Sequence, residues 1–95
     1  WIRRGNMKKD RYQYIVSIAG EKNRYDFINY IKKNYKLKFR FDDEYMINSK
    51  FPFVVDFKKK DFWVCESITC CACAAQNGLI ISFEEFIKKT INRFS

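Results

Sequence analysis

The chain has 95 residues with 19 Lys+Arg, 11 Asp+Glu and no His, a formal charge of +8 and an isoelectric point near 9.4. That length fits one domain, and an aromatic content of 19% supplies the dense core that so short a chain needs. No apolar run approaches the ~20 residues that span a bilayer, so no transmembrane helix is expected.

Trp1–Asn6 reads as a translated leader or a vector-derived segment, with Met7 as the start. Arg3-Arg4 can be written AGGAGG, a purine-rich ribosome-binding signal; Gly5-Asn6 is then a spacer, and Met7-Lys8-Lys9 a bacterial opening. The expected organisation is residues 1–6 outside the fold and one α+β domain over residues 7–95. Without Arg3 and Arg4 the charge of +8 falls by two, to +6. Lys, Asn, Ile, Phe and Tyr, all with AT-rich codons, fill about half the chain. A low-GC Gram-positive bacterium, or its phage or mobile element, is the expected source. The polar, charged N-terminal region gives no sign of a secretory signal. The expected compartment is the cytoplasm of a bacterial host, where the four cysteines stay reduced.

Tyr12–Ile18 is β-branched and aromatic, with Tyr12, Tyr14, Val16 and Ile18 on one face, and predicts a strand ending at Gly20. Asn23 is the candidate N-cap of an amphipathic helix over residues 24–35, in which Phe27, Ile28, Ile31 and Tyr35 share a face. Leu37, Phe39 and Phe41 alternate with Lys36, Lys38 and Arg40, a second strand. Asp42–Phe51, with its acidic Asp42-Asp43-Glu44, reads as an irregular link carrying a short helical turn. Pro52 sits at the entry of the next strand. Residues 53–57 and 62–65 flank Lys58-Lys59-Lys60-Asp61 and predict a β-hairpin. Ser67 or Thr69 caps a short Cys/Ala helix that Gly78 ends. Leu79–Ile81 is either a small strand or a buried link. Ser82 and Glu85 form a capping box for a last helix with Phe83, Phe86, Ile87, Ile91 and Phe94 on one stripe. This order predicts an α+β fold, a small antiparallel sheet of about four strands with two to three helices packed on one face.

Four cysteines invite a metal reading, but three of them fall within four residues, unlike the paired knuckles of zinc sites. Cys70, Cys71, Cys73 and Ala74 fit instead a small-residue helix whose backbone approaches an aromatic sheet closely. The absence of His removes the commonest general base and the usual partner of a catalytic thiol. The acidic run lacks calcium-loop spacing. No metal, no cofactor and no catalytic residue is expected, and the chain is read as a non-enzyme.

Basic residues interleaved with aromatics remain. Lys36, Lys38 and Arg40 line one strand and Lys58, Lys59 and Lys60 crown a hairpin tip. If they converge, with Lys8, Lys9 and Arg11, they form a phosphate-contacting patch. Tyr25, Tyr30 and Tyr45 are candidate interface aromatics. The simpler alternative is the solvent face of a one-sided sheet. Two functional expectations follow. One is a small non-catalytic phage or mobile-element protein that binds and inhibits or modulates a host protein or protein–nucleic-acid complex, similar in kind to anti-CRISPR proteins. The other is a small basic nucleic-acid-binding regulator.

Overall fold

The register of the sheet gathers apolar side chains from all five strands into two rows on one face. In the computed structural model, residues 12–67, 69, 72, 75–76 and 78–91 are described. The chain runs β1 (Gln13–Val16), α1 (Glu21–Asn34), β2 (Lys38–Phe39), α2 (Asp43–Asn48), β3 (Phe53–Asp56), β4 (Asp61–Val64), β5 (Ile80–Ile81) and α3 (Phe83–Thr90). Five strands form one sheet in the order β2-β4-β3-β1-β5. Tyr14 lies opposite Val55 and Val55 opposite Phe62, with Phe39 beside Phe62 at the edge. Val16 lies opposite Phe53 and Phe53 opposite Val64, with Ile81 beside Val16 at the other edge. Phe27 of α1 sits over both rows, its ring centroid 5.1 Å from Phe53 and 5.9 Å from Phe62. It also meets Phe83 and Phe86 of α3 at 4.9 and 5.3 Å, which makes it the hub of the core.

The class is α+β, as the element order predicts, with one strand more than expected. The central pairs β1–β3 and β3–β4 are antiparallel. Both edge strands instead run parallel to their neighbours, β2 to β4 and β5 to β1, so the sheet is mixed. For β2 the cause is α1: the helical crossover carries the chain back to the end of the sheet where β1 began, so β2 runs parallel to β1 and to β4. The fifth strand is Ile80-Ile81, the short apolar segment left open by the sequence.

Three local expectations need correction. The first helix starts at Glu21, not Arg24, and its N-cap is Gly20 rather than Asn23. Gly20 has φ 92°, a region costly for side-chain-bearing residues, and its carbonyl accepts the first helical bond from Arg24 N at 3.0 Å. Asn23 instead donates its side-chain amide to Ala19 O at 3.1 Å. The second strand spans only Lys38–Phe39, because Asp42 immediately caps α2 by accepting from Tyr45 N at 2.8 Å. The expected Ser82 cap is present, with Oγ accepting from Glu85 N at 3.1 Å. The small-residue helix of Cys70, Cys71, Cys73 and Ala74, the leader, Lys8, Lys9, Arg11 and Phe94 lie outside the described residues.

Arg24 binds three separate segments together. It is 3% exposed, in the core-facing row of α1 with Phe27, Ile28 and Ile31. Its Nε donates to Met46 O at 2.8 Å, its Nη1 to Ile18 O at 2.9 Å and its Nη2 to Phe51 O at 3.0 Å. The guanidinium also lies 4.1 Å from the centroid of the Phe53 ring. Burial lowers its pKa, a direction that favours the neutral form. Arg24→Met keeps the length and removes the donors, leaving three carbonyls to find water. Urea unfolding should show a loss of at least ~3 kcal/mol, since each orphaned acceptor costs about 1–3 kcal/mol. A variant within ~1 kcal/mol of the parent would contradict this clamp.

Candidate functional site

The hairpin turn after β3 is held by a buried carboxylate. Asp56, 5% exposed, accepts from Lys58 N at 3.0 Å and Lys59 N at 2.9 Å through Oδ1. Its Oδ2 accepts from Gln13 Nε2 at 3.3 Å. With its carboxylate occupied by the backbone, Asp56 organises the turn that presents Lys58, Lys59 and Lys60 to solvent. Lys60 adopts a left-handed φ of 59°, and its carbonyl accepts from Lys38 N at 2.7 Å. That bond joins two lysine runs far apart in sequence.

Lys36, Lys38, Lys58, Lys59 and Lys60 are therefore brought to one edge, all exposed and none ion-paired to a described residue. Arg40 is placed differently. Its Nη2 lies 2.8 Å from Asp61 Oδ2 and its guanidinium 5.0 Å from the Trp63 ring centroid, so its charge is partly spent. More lysines gather nearby than the strand and hairpin patterns indicate. α1 ends with Lys32 and Lys33 in its last turn, and α3 with Lys88 and Lys89. The two helix ends meet where Tyr35 Oη donates to Thr90 Oγ1 at 3.3 Å, and the Tyr35 ring lies 4.9 Å from Phe57 of the turn. A signal for this was present: both helices carry acids in the first turn and lysines in the last, so parallel packing collects the lysines at one end. Between α1 and the turn lies an open cleft of about 240 Å³, lined by Asn34, Tyr35, Lys36, Leu37, Phe57 and Lys60.

The candidate interface tyrosines are separated, with no ring contact joining them among the described residues. Tyr25 is 53% exposed on α1. Tyr30 is half-buried against Phe83 at 5.6 Å and Tyr35 at 6.3 Å, and so belongs largely to the core margin. Tyr45 is 45% exposed, tilted on Phe41 at 4.9 Å, with its hydroxyl bonded to Glu66. It rims an open concavity of about 510 Å³ with Asn48, Ser49, Lys50 and Phe51.

The acidic run has local structural duties: Asp42 caps α2 and Asp43 pairs with Lys32. Among the described residues no group of three or more His, Cys, Asp or Glu is placed to hold a metal ion, and no helix is long and apolar enough to cross a membrane. No protein-family model matches the chain, and no curated protein or solved structure is significantly similar to it.

Tyr30 supplies a pH test of this margin. Burial, followed by the charge of Tyr35 and hydrogen bonding with it, raises the Tyr30 phenol above its ordinary value. The folded-state pKa thus exceeds the unfolded one. The resulting stability is present below the unfolded value, ~10, and is lost as pH rises through the folded value. Thermal melting from neutral to alkaline pH should fall less steeply in Tyr30→Phe than in the parent. Identical slopes would contradict the placement of Tyr30.

Proposed function

We propose that this chain is a non-catalytic binding protein that engages the phosphate backbone of nucleic acid through its lysine-rich end. The observation that carries this reading is the Lys38 N to Lys60 O bond, which sets Lys36 and Lys38 beside Lys58, Lys59 and Lys60 with no carboxylate pairing them among the described residues. Five exposed lysines on two adjoining segments concentrate positive charge at this end, and a polyanion that binds there releases its own counterions. The chain offers no His for general acid–base work, which supports binding over catalysis.

Affinity for a short duplex, measured against salt concentration, tests the reading. The log–log slope is about −0.9 per neutralised phosphate, so Lys58→Glu/Lys59→Glu/Lys60→Glu should flatten it by ~2 to 3. The loss should be similar for all sequences. Binding that ignores both salt and the triple substitution would defeat the proposal.

A second reading, a phage or mobile-element protein that modulates a host protein, draws on Tyr45. Its hydroxyl is anchored to Glu66 and its ring stands at the rim of the 510 Å³ concavity, the arrangement of a pre-positioned aromatic anchor. In this case a single protein partner survives nuclease and high salt, and Tyr45→Ala weakens it by ~2 kcal/mol or more. Retention of that partner at full affinity by Tyr45→Ala would remove this reading.

A further inference from the structure

The sheet ends at β2 with an open hydrogen-bonding edge. β2 is the outermost strand in the order β2-β4-β3-β1-β5. Its bonds to β4 run through alternate residues: Lys38 N donates to Lys60 O at 2.7 Å and Arg40 N to Phe62 O at 3.0 Å. Peptide groups alternate in direction along a strand, so Phe39, between these two, turns its N–H and C=O away from β4. No described residue bonds to either group. An edge of this kind is a template for a further strand.

The side chains along this edge are sorted by face. Phe39 lies on the side of the helices, its ring centroid 4.8 Å from that of Phe62. Leu37 and Phe41, two residues to either side, are half-buried as well. Lys36, Lys38 and Arg40 have the opposite parity, and all three are exposed. Arg40 is engaged by Asp61, while Lys36 and Lys38 have no ion-pair partner among the described residues. A strand laid against β2 therefore meets an apolar row on one face and a cationic row on the other. Opposite charges facing one another on adjacent strands stabilise the pair, and like charges destabilise it. The complementary strand alternates apolar and acidic residues.

A second copy of this chain does not meet that condition. Antiparallel pairing of Phe39 with its own copy sets Lys38 opposite Arg40, and in-register parallel pairing sets each cation beside itself. Cationic edges of this kind oppose self-association. Nucleic acid neutralises the lysines but has no peptide groups at strand spacing to bond Phe39. We propose that the β2 edge accepts an extended acidic segment of a partner protein by strand addition. Main-chain bonds at Phe39 then supply affinity, and the alternating side chains supply specificity. This partner is additional to nucleic acid and independent of that reading. Both ligands use Lys36 and Lys38, so each excludes the other.

The experiment titrates the full chain with a synthetic heptapeptide of alternating glutamate and valine, and with its counterpart carrying lysine for glutamate. The acidic peptide should bind at least ~10-fold tighter, and Lys36→Glu/Lys38→Glu should reverse the preference. Two isomers of the acidic peptide separate strand addition from simple charge pairing. One carries backbone N-methyl groups on two valine amides, the other on two glutamate amides. Only one set of amides faces β2, so the isomers should differ by roughly 5- to 150-fold, the loss of two main-chain bonds. Exchange of the Phe39 amide hydrogen should slow when the acidic peptide is bound and stay unchanged when an oligothymidylate is bound. Equal affinity of the two isomers would overturn the proposal. Equal slowing at Phe39 by the oligothymidylate, or no peptide binding at millimolar concentration, would overturn it too. If the double lysine variant fails to fold, the two isomers tested on the parent protein decide alone.

Discussion

A buried guanidinium holds this fold in register. Arg24 hydrogen-bonds to carbonyls after β1, at the end of α2 and before β3, and its flat face rests on Phe53 in the middle of the sheet. No side-chain carboxylate takes part in these three bonds. That choice of acceptor matters, because a backbone carbonyl fixes the path of the chain and not merely the position of a side chain. An Arg serves here where a Lys would not: its planar fork addresses three directions at once, whereas an ammonium is a single point. With these segments tied to α1, Phe27 comes to lie between the strands and α3, and the rest of the aromatic core closes around it.

The charged end follows from the same arrangement. α1 and α3 both leave the Gly20 and Ser82 end of the sheet and finish where the β3–β4 turn emerges. Each helix obeys the dipole by placing acids first and lysines last. Packing them in parallel turns a local preference into a global asymmetry. The turn adds three more lysines, displayed by a carboxylate, Asp56, that is itself withdrawn from solvent. Of the acidic groups near this end, Asp56 serves the backbone and Asp61 is taken by Arg40. The lysines are left as the feature an approaching molecule would meet.

Much of this architecture was legible in the amino-acid order where the signal was local. Two apolar runs around a lysine run give the hairpin, and Ser82 three residues before Glu85 gives the start of α3. What was not legible depends on non-local partners. Arg24 looks like any solvent-facing arginine until its carbonyls arrive from other segments. The strong alternation of residues 36–41 yields a strand of two residues, because the cap of α2 begins at Asp42. Parallel pairing at the sheet edges is set by the crossover, not by composition. Each lysine run was visible, but their meeting required β2 to lie against β4. Tyr30 shares the face of Phe27 and Ile31 by helical spacing, so its half-burial could have been read from that spacing.

The central claim is that one end of the molecule, assembled from the segment after α1 and the β3–β4 turn, is the binding surface. Backbone amide chemical shifts recorded while a short oligonucleotide is titrated into the protein test it residue by residue. The account predicts that the changes concentrate in residues 34–38 and 57–61, with little change around residues 45–51. Changes centred on Tyr45 and Phe51, or none at all at modest salt, would contradict it.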